Sequence, residues 1–194
     1  MASQYRPHGR PSTACTHQRE RGLRNGRFAD HLFRRIINRT QRLDPTDSRH
    51  YGVYNVMRLL RSHGIVITHV QVPVWDADLE IRTTLDGLGY TKHGVCVFEL
   101  KTTTYSVQEH MARYRVCCTN NPTLSNGMGN TEKNMHALQT AFGMHCCKKR
   151  MTSTVPVQGV VVVACTDGAK LYWVDSKLAV GEAFSSSKQF NVSI

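Results

Sequence analysis

The sequence has no apolar run long enough to span a bilayer. Its longest near the C-terminal end, Gly159 to Cys165, falls far short of the roughly 20 residues that a membrane helix needs. The Arg-dotted start lacks the apolar core of a signal peptide, so an intracellular protein, nuclear or cytoplasmic, with no membrane partner is expected. A disulfide framework is also missing. Seven cysteines is an odd count, and it includes the adjacent pairs Cys117-Cys118 and Cys146-Cys147. Adjacent thiols lack the two-residue spacing that chelates one ion, so these two pairs and His145 read as free side chains in a reducing compartment. Acids are scarce: 14 Asp and Glu stand against 25 Lys and Arg, leaving +11. Lysine itself is absent from residues 1–61, which hold thirteen Arg and four acids (Glu20, Asp30, Asp44 and Asp47). The rest of the chain is nearly neutral. Guanidinium forks suit phosphate, so the asymmetry points to a polyanion, nucleic acid above all.

What is present is ordinary for one folded domain: 194 residues, 40% apolar and 20% charged, without internal repeats. Residues 1–26 are rich in Arg, Gly, Pro, Ser and Thr and read as disordered. Phe28, Leu32, Phe33, Ile36 and Ile37 then recur at helical spacing. A second helix is predicted from Asp47 or Ser48 to Ser62, with Tyr54, Met57, Leu59 and Leu60 buried and Gly64 as its stop. The period then drops to two over Ile65–Val74, Leu79–Asp86 and Val95–Lys101, with turn-prone segments at 75–78 and 87–94. Val95–Lys101 is apolar on both faces and belongs in the middle of a covered sheet. Ser106 and Glu109 form a capping box opening a helix to about Cys117. A polar, mobile loop is expected over 119–130, then a helix over Glu132–Lys149 with Met135, Leu138, Phe142 and Cys146 inward. Val157–Cys165 and Lys170–Val174 close the body as a hairpin turning at Asp167-Gly168.

The chemistry-bearing residues lie on the middle strands. Glu99 and Lys101 are two apart and share a face, and a hairpin turning near Lys92-His93 sets Asp86 opposite Glu99. Two facing carboxylates repel, which a fold tolerates mainly when a cation lies between them. Asp86, Glu99 and the carbonyl of Leu100 are the hard oxygen donors that Mg²⁺ prefers. Lys101 is placed to assist a bound water or to stabilise charge on phosphate. Asp76 and Asp78 are read as turn residues, and His136 as a structural or surface histidine.

Leu85-Asp86-Gly87-Leu88 and Phe98-Glu99-Leu100-Lys101-Thr102 resemble the motifs of the PD-(D/E)xK nuclease superfamily, especially its RecB-like and lambda-exonuclease-like members. His136-Ala137-Leu138-Gln139-Thr140-Ala141-Phe142 is similar to the glutamine-bearing helix of RecB-like members. The resemblance covers residues 50–175 and implies a mixed α/β fold with a restriction-endonuclease-like αβββαβ core and flanking helices. It implies a Mg²⁺- or Mn²⁺-dependent DNA nuclease, exonuclease or endonuclease, with Asp86, Glu99, Lys101 and Gln139 as catalytic residues and Asp86, Glu99 and Leu100 as metal ligands. The sequence departs from it in having Leu85 before the Asp and no acid on the 50–64 helix, which puts a second metal in question. The expected divisions are 1–26 as a disordered Arg-rich tail, 27–49 as a basic helical extension, 50–180 as the nuclease-like domain and 181–194 as a C-terminal tail. Arg19, Arg21, Arg24, Arg27, Arg34 and Arg35 are expected to contact DNA, with RNA as another possible substrate. The oligomeric state is not legible. The other reading is a non-catalytic basic nucleic-acid-binding protein on a nuclease-like scaffold.

Overall fold

The change from helical to alternating periodicity at Ile65 marks where two helices give way to a sheet. The computed structural model describes residues 13–44, 46–116, 129–151 and 154–178. Helix α1 spans Thr13–Ile37, and a 3-10 turn at Ser48–His50 leads into α2, Tyr51–Ser62. Strands β1 (Val66–Asp76), β2 (Ile81–Thr91) and β3 (Gly94–Thr102) follow, then α3 (Val107–Arg113), α4 (Glu132–Arg150), β4 (Val157–Ala164) and β5 (Ala169–Val174). The strands form one mixed sheet in the order β1-β2-β3-β4-β5, antiparallel throughout except for the parallel pair β3/β4. The protein is thus a mixed α/β fold. No described helix is long and apolar enough to cross a membrane.

Both faces of the sheet are covered, as the doubly apolar β3 requires. Cys96, Phe98 and Leu100 pack with Leu32 and Phe33 of α1 and with Val53, Val56 and Leu60 of α2. On the other face Val97 packs with Ala141, Phe142 and Met144 of α4. Helix α2 ends in a Schellman motif: Gly64 takes φ 65°, and the Ile65 and Gly64 amides donate to Leu60 and Arg61. There glycine adopts the left-handed conformation at little cost. The Ser106/Glu109 capping box is present in both directions.

Several expectations change. Residues 13–26, read as part of a disordered tail, belong to α1. The glycines that suggested disorder are contact points: a Cβ on Gly26 would lie 2.9 Å from Thr102, and one on Gly22 3.9 Å from Thr104. They let the helix lie close against the end of β3. Residues 1–12, and the expected tail at 181–194, lie outside the described residues, as does most of the 119–130 loop. Gly87–Thr91 is strand rather than turn, because β2 pairs as far as Thr91 and only Lys92-His93 turns. Helix α3 stops at Arg113, short of Cys117. In α2 the buried side is Val53, Val56 and Leu60, with Tyr54 exposed. On α4 Met135 is exposed, and the helix lies close against the sheet at Gly143, where a Cβ would lie 2.5 Å from Leu85. A stripe read from apolar residues alone misses a helix that docks through its glycine.

Candidate functional site

The site forms where β2 and β3 part. Their ladder runs from Thr91↔Gly94 to Gly87↔Phe98, the register that faces Asp86 with Glu99, and it stops there. Instead of a strand carbonyl, the Asp86 carboxylate accepts the Leu100 N–H, at 2.9 Å. The N–H and C=O of one strand residue point the same way, so the Leu100 carbonyl also faces this gap. Strand β2 turns over at Asp86: Gly87 faces Phe98 and Ile67, whereas Leu85 faces α4 beneath Gly143. Across β1, Gln71 holds φ 54°, an uncommon conformation for a residue inside a strand, and its Nε2 lies 3.4 Å from Asp86 Oδ1.

Glu99 and Lys101 share the α4 side of β3. Glu99 is 2% exposed. Lys101 Nζ donates to Glu99 Oε1 at 2.6 Å and to Gln139 Oε1 at 3.2 Å. The glutamine expected beside the strand end, 38 positions along the chain, therefore bonds the lysine directly. With its oxygen taken by Lys101, the Gln139 amide NH₂ is left to donate elsewhere.

Burial sets the electrostatics. It raises Asp86, against the pull of the Leu100 amide and the Lys101 charge. Glu99 is pushed up to about 7, first by burial and then by the Asp86 carboxylate, with Lys101 opposing. Near neutral pH the pair therefore holds a proton that a divalent cation would displace. His136, one turn before Gln139, is pushed down to about 3 by burial and the Lys101 charge. It stays neutral, with Nδ1 2.9 Å from the hydroxyl of Tyr114. Tyr114 is itself buried and packs its ring against Tyr172 and His110. This aromatic wall backs the site on the α4 side.

On the other side α1 contributes two charges. Arg34 is paired with Asp30 one turn before it, Nε to Oδ1 at 3.1 Å, and the charges of both reach Asp86. Asp30 escaped the sequence reading, which sought an acid only on the 50–64 helix. The signal was present in the i, i+4 spacing of Asp30 and Arg34 beside the buried Ala29, Leu32 and Phe33. Arg24, Arg27 and Arg35 are exposed on α1. Arg19 and Arg21 lie on the same helix, and their side chains are outside the described set.

The remaining polar candidates have other partners. Asp76 is buried and accepts from His145 Nε2 (2.7 Å), Lys149 Nζ (3.0 Å) and the amides of Asp78 and Leu79 (2.9 and 3.1 Å). It ties the end of β1 to the last turns of α4, a larger role than turn chemistry. Burial opposes its charge, but these donors hold the carboxyl far below the usual range. Cys146 and Cys147 are buried free thiols, and Cys117 and Cys118 lie outside the described residues. Asp76→Asn is expected to lower the urea midpoint at pH 7. A group with a depressed folded-state pKa contributes stability above its unfolded value and loses it as pH falls toward its folded one, so the gap to wild type should begin to narrow below about pH 4 and go on narrowing as pH falls further. A gap independent of pH would contradict the charge as its source.

No family model matches this chain, and no curated protein matches it.

Proposed function

We infer that the protein is a metal-dependent nuclease that hydrolyses phosphodiester bonds in DNA. The observation that carries this reading is the convergence of the buried Glu99 and the half-buried Asp86, both with raised pKa values, with Lys101 and Gln139 at a break between strands. A purely structural site gains nothing from holding two mutually repelling acids together. The donor set fits Mg²⁺ or Mn²⁺: Asp86, Glu99 and the Leu100 carbonyl are hard oxygens, and magnesium keeps water in its remaining positions. When bound, such an ion supplies Lewis-acid polarisation of a phosphate and a water of lowered pKa.

The chain's own groups do the rest. Lys101 sets its ammonium beside Glu99, placed to stabilise charge developing on a phosphate oxygen. The Gln139 amide, oriented by Lys101, offers its NH₂ to the substrate or to the attacking water. Exposed arginines along α1 add affinity that does not depend on sequence. The order helix, three strands, helix, strand (α2, β1–β3, α4, β4) agrees with the core that the PD-(D/E)xK resemblance implies.

The test is cleavage of linear, circular and single-stranded DNA with Mg²⁺ and with excess chelator. Cleavage that needs the ion and disappears in Asp86→Ala supports the reading. Cleavage that survives chelation contradicts the metal chemistry, and DNA binding without any cleavage favours the non-catalytic scaffold. Lys101→Met is expected to leave Mg²⁺ binding in place while lowering the cleavage rate about 100-fold or more, within the range of a single removed electrostatic stabiliser. Wild-type turnover in that variant would remove the lysine from the mechanism.

A further inference from the structure

A groove of about 490 Å³ lies between the end of α1 and α2. Its rim carries Arg39, Arg42, Arg58 and Arg61, with Tyr54 and Met57 among its walls. Among the described residues none of these four guanidiniums is paired with a carboxylate. The acids nearest in sequence are engaged: Asp44 accepts from the Thr46 amide and hydroxyl at 2.8 and 2.6 Å, and Asp47 is paired with Arg49 at 2.6 Å. Four arginines without counter-charges around a partly apolar hollow suit a ligand with phosphates and a flat apolar part.

Arg39 stands at an unusual place. It takes φ 59° at the end of α1, and the Arg39 and Thr40 amides donate to Ile36 and Arg35 at 3.0 and 2.9 Å. This is the same Schellman closure as at Gly64, with arginine where glycine is favoured. From Arg39 a ridge runs back along α1 in steps of four through Arg35, His31 and Arg27, all exposed. Its far end lies beside Gly26 and Thr102, at the strand end that carries Lys101. The twelve residues of this ridge cover about 18 Å at the helical rise, which matches about five nucleotides of a stacked strand.

We propose that this groove is a nucleic-acid strand site, holding phosphates of the DNA about five nucleotides from the carboxylate pair, with α1 as the track between them. The row of Arg39, Arg35 and Arg27 along one side of the helix favours a polymer of phosphates over a single small anion. The proposal rests on the nuclease reading for its substrate, but binding tests it without turnover.

The experiment measures affinity of the full chain for labelled DNA in excess chelator across a salt series, with strands of about 20 and about four nucleotides. The variants are Arg58→Gln/Arg61→Gln and, separately, Arg39→Gly, which restores the favoured residue at the helix end and should melt no lower than wild type. The double variant is expected to bind the long strand about tenfold more weakly and to lower the log–log salt slope by about two; Arg39→Gly lowers it by about one. The short strand, too short to span ridge and groove together, should show a much smaller change. Arg82→Gln/Lys148→Gln removes two exposed charges elsewhere and serves as the control. An unchanged slope in Arg39→Gly, or an equal loss in the control, overturns the proposal. Loss of binding in the groove variants, with no Mg²⁺-dependent cleavage by wild type, would instead overturn the nuclease reading and leave the groove standing.

Discussion

Glu99→Gln is expected to abolish turnover and, in the same protein, to raise stability at pH 8. The two effects share one cause. Glu99 lies almost fully buried, beside Asp86, and its folded-state pKa is pushed up to about 7 from an ordinary 4.5. Between those values the folded protein holds a proton that the unfolded chain has released. Stability therefore falls as pH rises through this window and levels off above it. Glutamine is neutral throughout, so the variant escapes the loss. Its gain over wild type is absent at pH 4, grows through pH 6 and reaches about 3 kcal/mol at pH 8, from the cost of one pKa unit. Urea unfolding at the three pH values checks this. Removing one of two ligand carboxylates forfeits several kcal/mol of transition-state stabilisation, which corresponds to a rate loss of about a thousandfold or more. Added Mg²⁺ should raise the melting temperature of wild type and leave that of Glu99→Gln nearly unchanged, because only a ligand that binds the native state shifts its melting. A variant no more stable than wild type at pH 8 would mean that the carboxylate is not under electrostatic stress.

The features legible in the sequence were those written in local pattern. The turn at Lys92-His93 fixed a register, and the register faced Asp86 with Glu99, as the pairing down to Gly87↔Phe98 bears out. The two-faced apolarity of β3 announced a covered central strand. Gln139 was found through a resemblance, and its bond to Lys101 agrees with that placement. What escaped were contacts made by residues with little or no side chain, or by strain. Gly22 and Gly26 looked like tail composition, yet they seat α1 on Thr104 and Thr102. Gly143 is invisible to a search for apolar stripes, although it is where α4 meets Leu85 and Val97. Gln71 enters the site only because β1 shifts register between Ile67 and His69, and nothing in the residues of β1 announces that shift.

That same irregularity makes Gly89→Ala a severely damaging single-methyl change in the sheet. A Cβ there would lie 2.0 Å from the Val66 carbonyl oxygen and 2.8 Å from the Ile67 Cα. Both are backbone atoms of β1 next to the bulge, so no rotamer change relieves the clash. β1 must lift away from β2, and the Gln71 and Asp86 backbones farther along the same pairing must shift with it. Gly87 offers the contrast: its nearest neighbours would be the Phe98 and Ile67 side chains at 3.0 and 3.1 Å, which give way by small rotations. Gly64 offers another, since φ 65° strains an alanine there but nothing lies within 4 Å of its Cβ. The expected losses are therefore about 3 kcal/mol or more for Gly89→Ala, in the upper range of overpacking. Gly64→Ala should lose about 1–2 kcal/mol, the cost of a left-handed non-glycine residue. Urea midpoints of the three alanine variants give the order directly. Cleavage by Gly89→Ala at a temperature where it remains folded then reads whether the bulge sets the Asp86 carboxylate. A fall in rate with DNA affinity retained is the expected result, and an undisturbed rate would separate the bulge from the site.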